Sequence, residues 1–250
     1  LISGGSPTFQ HNDIDGVGLN ADSTWRGVSI LGASPYLYNN DIGTATVITG
    51  AAAQSVGILV DGGNPTLSYN RISSGDAATG VGMRIQNAAN PYLYNYNRIT
   101  TGDGTNLYGI RLDSVSGTPR FYDTTIATGT GPAVSSTYGI FSYTASNAEF
   151  YASSISTADI STGETWGVYW LSSGNLYLED TDIHSGDTSS QPTHGLFVSG
   201  SGPLTILGTG GRPTVRAGRS STSYSAAIEV INTSALVQNV DIIGGDAPNA

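Results

Sequence analysis

Residues 57–72 contain the two phrases that decide the fold, Gly57-Ile58-Leu59-Val60 and Pro65-Thr66-Leu67-Ser68-Tyr69-Asn70-Arg71-Ile72. The glycine phrase recurs, with glycine before alternating apolar residues, at Gly27, Gly82 and Gly109. In the second phrase an apolar residue precedes an isoleucine by five positions. Its other copies are Phe9 and Ile14, Leu37 and Ile42, Phe121 and Ile126, Phe150 and Ile155, Leu178 and Ile183, and Val237 and Ile242. From Ile14 to Ile242 the isoleucine position advances by a mean of 28.5 residues over eight intervals, a period that is typical of solenoids.

Apolar and polar residues alternate within each repeat, which indicates strands with one buried face. Each repeat holds three such segments, separated by turns rich in Gly, Asn, Pro and Ser. A unit this small buries its apolar face only by stacking on its neighbours, and parallel crossover connections are almost always right-handed. The sequence therefore predicts an all-β fold, a right-handed single-stranded parallel β-helix (β-solenoid) of about nine coils, as one domain over residues 1–250. Leu93 and Ile99 are separated by one extra residue, which predicts a bulge.

The composition excludes several other classes of protein. Charged residues make up 11% of the chain and 34 residues are glycine, a balance that disfavours helical bundles. The net charge is −10 and all nine cations are arginine, so the chain overall is a poor binder of nucleic acid, whose phosphates require clustered cations. There is no cysteine for a disulfide or a thiolate metal site. Because no apolar run approaches the roughly 20 residues of a transmembrane helix, we expect no membrane span. Because the chain is acidic, we expect no nucleic-acid partner.

The phrase Pro-x-Leu-x-x-Asn-x-Ile is present as Pro35-Tyr36-Leu37 with Asn40 and Ile42. It resembles the repeats of right-handed parallel β-helix proteins of the carbohydrate-binding and sugar-hydrolase class, which occur in bacterial surface proteins and phage tailspikes. The resemblance covers nearly the whole chain and implies the architecture. It does not define an activity, because this fold carries lyases, hydrolases, adhesins and inert stalks.

Two residues before the recurring isoleucine, a column of amide side chains runs along the predicted helix. Its members are Asn12, Asn40, Asn70 and Asn97. Asparagine tolerates left-handed turns, and its amide can bond to the coils above and below. We interpret these four residues as a structural ladder, and the resemblance implies the same, because such β-helices often carry internal asparagine ladders.

The residues directly before the recurring glycine form a second column. They are Val56, Val81, Tyr108, Tyr138, Trp166 and His194. Strand alternation predicts that this column lies on the same side as Val28 and Ile30, facing inward or at the corner. His194 is then the last plate of an aromatic stack, with a lone catalytic histidine as the alternative.

Aromatic residues recur at positions that alternation directs to solvent. They are Tyr36, Tyr38, Tyr92 and Tyr94 beside the buried leucine, and Phe141, Tyr169 and Phe197 in the glycine strand. An exposed aromatic stripe is typical of a surface that contacts sugar rings, a partner or a loop. Cross-strand aromatic pairing that stabilises the ladder is the alternative.

Acidic residues supply weak catalytic and metal candidates. Asp180, Asp182 and His184 form the densest cluster, and paired carboxyls are what inverting glycosidases use. The resemblance argues against that activity, because pectin-hydrolysing relatives add Gly-His-Gly and Arg-Ile-Lys segments that this chain lacks. Asp76 and Asp103 belong to an Asp column that could hold Ca²⁺. Thr130 interrupts this column, and aspartate side chains beside glycine more often cap a turn. We therefore expect no cofactor, with calcium as the alternative.

Arginine clusters where the repeat is irregular. The Asn-x-Ile phrase is missing between Gly195 and Ala227, and Arg212, Arg216 and Arg219 lie in that stretch. Departures from a local rule often fall at functional or interface sites. We expect this segment to contact the acidic cluster one coil earlier or an acidic neighbour, with a flexible insertion as the alternative.

The first residues match the interior of a repeat, since 1–9 align with 59–67, and no cap is evident at either end. This pattern favours a segment of a longer rod or a subunit that stacks on copies of itself, head to tail or laterally. Our leading hypothesis is a non-catalytic extracellular or cell-surface structural β-solenoid: a stalk, an adhesin or a filament subunit. The alternative is a β-helix that binds or cleaves polysaccharides, with glycans as its partners.

Overall fold

The computed structural model describes residues 1–15, 24–43, 54–129 and 135–246, and every regular element in these ranges is a strand. The first nine strands are β1 (Ile2–Ser3), β2 (Thr8–Gln10), β3 (Asp13–Asp15), β4 (Thr24–Leu31), β5 (Tyr36–Tyr38), β6 (Asp41–Gly43), β7 (Gln54–Asp61), β8 (Thr66–Ser68) and β9 (Arg71–Ser73). They are followed by β10 (Ala77–Gln86), β11 (Tyr92–Tyr94), β12 (Arg98–Thr100), β13 (Gly104–Asp113), β14 (Arg120–Tyr122), β15 (Thr125–Ala127), β16 (Ser136–Ser142), β17 (Ala148–Tyr151) and β18 (Ser154–Ser156). The last are β19 (Glu164–Trp170), β20 (Leu176–Glu179), β21 (Asp182–His184), β22 (Thr193–Ser199), β23 (Leu204–Leu207), β24 (Thr214–Arg216), β25 (Ser225–Ile231), β26 (Ala235–Gln238) and β27 (Asp241–Ile243).

Every third strand belongs to the same sheet. The first sheet runs from β1 to β25, the second from β2 to β26 and the third from β3 to β27, each with nine strands paired in parallel to their neighbours. We call each successive group of three strands a coil, so that coil 1 is β1 to β3. Eight intervals separate the first coil from the last, so the chain makes about eight turns, where the sequence predicted about nine coils. The predicted parallel β-solenoid is confirmed.

The recurring isoleucines lie in register, as the repeat requires. Ile99 pairs with Ile72 on one side and with Ile126 on the other. In the irregular coil Val215 takes this position, between Ile183 and Ile242. These residues, except the exposed Ile242, form one core with the apolar residues of the other two sheets, and this core extends from Ile2 to Val215.

Aromatic rings stack inside this core as well. Phe121 lies parallel to Phe150 of the next coil, with 4.5 Å between ring centroids, and both are fully buried. Burial of side chains of this size contributes about 1.5–3 kcal/mol each, so stability comes mainly from stacked copies of one apolar cross-section.

The corner between the second and third sheets is a left-handed turn. Tyr69 has a φ of 57° there. In coil 4 the extra residue between Leu93 and Ile99 is accommodated by two successive left-handed residues, Asn95 and Tyr96 (φ of 54° and 56°). The corner thereby absorbs the extra residue, and Ile99 stays in register.

The column before the recurring glycine does not face inward with Val28 and Ile30, so that part of the prediction is wrong. Val56 and Val81 pack with Leu59 in a cluster separate from the main core. The reason is the glycine: a Cβ added at Gly139 would meet Ile155 Cγ2 at 2.5 Å, so Gly139 and the buried Ile140 both face inward. Alternation breaks at that point, and the preceding column faces the outer surface of the first sheet.

Candidate functional site

The asparagine column forms a hydrogen-bonded ladder inside the corner. The Asn40 backbone N–H and Nδ2 both donate to Asn70 Oδ1 at 3.0 Å, and Asn70 repeats this with Asn97. Asn12 donates to Asn40 in the same way. Asn70 Nδ2 also donates to the carbonyl of Leu37 at 2.8 Å. The ladder satisfies backbone groups that the left-handed corner removes from the sheets.

Asp180, the first catalytic candidate, holds the loop of the following coil. Its carboxylate accepts the N–H groups of Thr209, Gly210 and Gly211 at 2.9, 2.8 and 3.3 Å, and the Thr209 hydroxyl at 2.8 Å. These backbone hydrogen bonds, that from Gly210 above all, lower the pKa of Asp180. Both oxygens are therefore engaged in binding one loop, which is how the irregular segment contacts the acidic cluster.

Asp182 and His184 lie on the exposed side of β21 and are separated by the buried Ile183. Asp182 Oδ1 accepts the N–H of Thr214 at 2.7 Å. His184 pairs in register with Ser156 and Arg216 of the adjoining coils. The two residues occupy the outer face of the third sheet, whereas Asp180 lies at the corner with a φ of 47°.

The Asp column at the next corner also binds backbone. Asp76 Oδ1 accepts the N–H of Asp103 at 2.8 Å, and Asp187 Oδ1 accepts that of Arg219 at 2.7 Å. Thr130, which interrupts the column, lies outside the described residues. Within the described ranges no group of three or more His, Cys, Asp or Glu side chains could hold a metal ion.

Two of the three clustered arginines pair with acids of the following coil. Arg212 Nη2 lies 2.6 Å from Asp241 Oδ1, and Arg219 Nε lies 3.3 Å from Asp246 Oδ2. Arg216 ends β24, in register with His184 and Ile243. All three are on the surface, where such ion pairs contribute about 0–1 kcal/mol.

A chain of tyrosine rings covers the second sheet. Tyr36 of coil 2 reaches Tyr94 of coil 4 across the small residues of coil 3, with 3.2 Å between the two hydroxyls, and Tyr38 stacks beside Tyr36 at a centroid distance of 6.1 Å. This hydrogen bond and burial raise the pKa of Tyr36 to about 12. Ser68 is buried beneath the rings although its position faces outward.

The chain of tyrosine rings continues through the later coils. Tyr92 contacts Tyr94 and Tyr122 at centroid distances of 5.5 and 5.4 Å, and Tyr122 stacks on Tyr151 at 4.4 Å with 4° between the ring planes. Tyr151 reaches Tyr177 at 5.4 Å. The tyrosines of the predicted stripe are thus paired across strands and half-buried, except for Tyr92, which is exposed.

A second aromatic surface lies on the first sheet. Phe141, Tyr169 and Phe197 stack in neighbouring coils at 5.5 and 5.2 Å. The adjacent column contributes Tyr138 and Trp166, which contact these rings edge to face. Burial under this surface raises the pKa of Tyr138 to about 12.

His194 ends that column as a fully buried plate. Its ring lies 4.0 Å from the Trp166 ring, nearly parallel, and Tyr224 contacts its edge at 5.1 Å. Nε2 donates to Glu229 Oε2 at 2.8 Å, whereas Nδ1 is buried without a partner in the described part of the chain. Burial lowers the pKa of His194, with Glu229 opposing the shift. The sequence pattern did not identify Glu229 as a partner; its signal is an acid that follows Tyr169 and Phe197 in one column.

A polar groove on the second sheet was also missed. A cavity of about 170 Å³ is lined by Asn147, Glu149, Asn175, Tyr177 and Thr205. Asn147 and Asn175 are stacked equivalents, since Asn175 N–H donates to Asn147 Oδ1 at 2.9 Å. Amide, carboxylate and hydroxyl groups beside an aromatic ring are what recognition of a polyhydroxyl ligand requires. The sequence signal is the recurrence of Asn two residues before the tyrosine column.

Comparisons with protein-family models, with curated proteins and with solved structures find no match to this chain. In the described ranges there is no helix with the length and apolar character needed to cross a bilayer.

Proposed function

We propose that the chain is a non-catalytic structural β-solenoid, a rod that acts through its surfaces as part of a stalk, an adhesin or a filament. The main support is the use of its acidic groups. Asp180 accepts four hydrogen bonds from one loop, and Asp182 and Asp187 each accept a backbone N–H of the following coil. These groups join one coil to the next, which is a role in building the rod.

The pairing of the strands supports the same role. Each of the three sheets joins nine strands in parallel, so the described coils form one continuous stack. A location outside the cell or at its surface belongs to this proposal, because the repeat phrase resembles those of bacterial surface proteins.

An activity assay on polysaccharides distinguishes the structural function from the catalytic alternative. The purified chain is incubated with neutral and acidic polysaccharides, and reducing ends and unsaturated products are measured. We expect no turnover above the blank. Turnover that is lost in Asp182→Asn but kept in Asp41→Asn, an exposed acid elsewhere on the third sheet, would overturn the structural function.

Self-association is tested separately by negative-stain imaging. Stacking copies should give fibres one rod wide, since nine strands at their usual spacing make a particle about 40 Å long. Isolated particles of that length at all concentrations would contradict the filament version and leave a stalk or an adhesin.

A second candidate function is carbohydrate binding at the groove beside Tyr177. It is favoured by the neighbouring Asn147, Asn175 and Glu149 side chains. The Tyr177 hydroxyl donates to Glu179 at 2.6 Å, which fixes the ring as a platform. On a glycan array, binding should be lost in Tyr177→Ala and retained in Tyr143→Ala, which changes an exposed tyrosine directly after β16. Equal binding by both variants would exclude this groove.

A further inference from the structure

The tyrosine chain extends to the corner of coils 3 and 4, where Tyr69 contacts Tyr38 at a centroid distance of 5.8 Å and pairs with Tyr96. The ring centroids of Tyr69 and Tyr96 are 6.1 Å apart and the ring planes are tilted by 36°. The two side chains are 43% and 72% exposed. Neither hydroxyl has a hydrogen-bond partner in the described ranges. We propose that this pair is a site of oxidative cross-linking, at which the two rings are joined as dityrosine.

The extra residue of coil 4 creates this pair. The N–H of Tyr69 donates to the carbonyl of Asn95, which makes Asn95 its equivalent in the next coil. Tyr96 is the added left-handed residue, and its ring projects from the corner beside Tyr69. The equivalent corner residues of the other coils with a left-handed conformation are His11, Asn39, Asp123, Ala152, Asp180 and Asn239. Two tyrosines therefore meet at only one of these described corners.

The covalent step needs a one-electron oxidant, and we assign that role to a haem peroxidase with hydrogen peroxide. Each phenol loses one electron and its hydroxyl proton and becomes a phenoxyl radical. The radicals combine by a carbon–carbon bond between ring positions ortho to the oxygens. The two ortho hydrogens then move to the oxygens and restore the phenols. In sum, two tyrosines and one hydrogen peroxide give one dityrosine and two waters.

Other neighbouring tyrosines are less suited to this coupling. Tyr122 and Tyr151 lie face to face, and the Tyr151 hydroxyl donates to Glu149 at 3.0 Å, so neither ring turns freely. Tyr36 and Tyr94 approach through their oxygens, not through ring carbons. Tyr69 and Tyr96 combine proximity with the exposure that lets two rings turn edge to edge.

The product would fasten coil 3 to coil 4 by a covalent bond. Like a disulfide, a cross-link between the corners of two successive coils lowers the conformational entropy of the unfolded chain. Oxidation should therefore raise the thermal midpoint. This modification is separate from the proposed structural function and stands if that proposal fails.

The test oxidises the dilute, full-length chain with peroxidase and peroxide and then digests it with a protease that cleaves after arginine. Cleavage after Arg26, Arg71, Arg84 and Arg98 gives peptides 27–71 and 85–98, which carry Tyr69 and Tyr96. We expect dityrosine fluorescence in the monomer and a species in which these peptides are joined with loss of two hydrogen atoms. Fragmentation should place the bond at the two named residues.

Tyr69→Phe and Tyr96→Phe should each abolish the joined species, whereas Tyr143→Phe, at an exposed tyrosine whose ring neighbour is Phe141, should leave it unchanged. Both corner variants lose only an exposed hydroxyl, so their circular dichroism should match that of the parent. A bond located at other tyrosines, a cross-link confined to dimers, or equal yields in all three variants would overturn the proposal.

Discussion

The imidazole of His194 lies face to face with the indole of Trp166 from the preceding coil, with 4.0 Å between centroids and 4° between planes. A neutral ring suits this position, because protonation would place an N–H at the buried Nδ1, where no acceptor lies among the described residues. The Glu229 carboxylate on the opposite nitrogen partly offsets that cost. The packing of coils 7, 8 and 9 against each other at this stack therefore depends on the charge state of His194.

The lowered pKa of His194 predicts a loss of stability in acid. The unfolded chain takes up the proton near the ordinary histidine pKa of about 6.5, whereas the folded chain takes it up only at lower pH. The stability that the neutral His194 ring contributes is thus fully present above the pKa of the unfolded chain. It is lost as the pH falls through the lower pKa of the folded chain. The thermal midpoint should decrease as the pH falls from neutral.

The titratable groups that face His194 are Glu229, Glu164 and Tyr224, so the control must isolate the ring. His194→Phe keeps an aromatic plate and should flatten this part of the pH profile. His184→Gln, at an exposed histidine, should keep it. An unchanged profile in His194→Phe would assign the effect to the carboxylates.

Removing an amide from the ladder should destabilise the whole rod. Asn70 is fully buried and holds the Leu37 carbonyl and the Asn40 N–H. Asn70→Ala leaves several of these groups without partners, at about 1–3 kcal/mol for each unsatisfied group. We expect a large decrease in the urea midpoint, and a smaller one for Asn12→Ala, whose side chain is exposed. Similar losses for both variants would contradict this role.

The sequence predicted the register well where strands are regular. A period of two and the five-residue spacing place Leu67 above Leu37 and Ile72 above Ile42, as the structure has them. The orientation of the His194 column was not predictable by alternation, because two successive residues face inward at the glycine. The hydrogen bonds of Asp180 could not be predicted from the sequence either, because most of their donors are backbone N–H groups, which any residue type supplies.

Neutralising Asp180 should release one loop and leave the rest of the fold intact. Asp180→Asn retains the shape but removes the charge that three N–H groups of Thr209, Gly210 and Gly211 share. Amide hydrogen exchange at these residues should become faster, with little change in the buried strands β20 and β23. In Asp182→Asn the increase should instead appear at Thr214. Uniform acceleration across the coil would mean that Asp180 supports the entire rod.

The recurring glycine should tolerate no side chain, because the next coil occupies the space. A Cβ at Gly139 would lie 2.5 Å from the Gly167 carbonyl oxygen and 2.5 Å from Ile155 Cγ2. The Gly167 backbone and the buried Ile155 side chain cannot both move away from this Cβ. Overpacking of this kind costs about 1–3 kcal/mol. Gly139→Ala should lower the thermal midpoint clearly. Gly211→Ala is the matched control, since a Cβ there meets nothing within 4 Å. If Gly139→Ala unfolded at the same temperature as Gly211→Ala, the close approach of the glycine columns would not be what fixes the distance between coils.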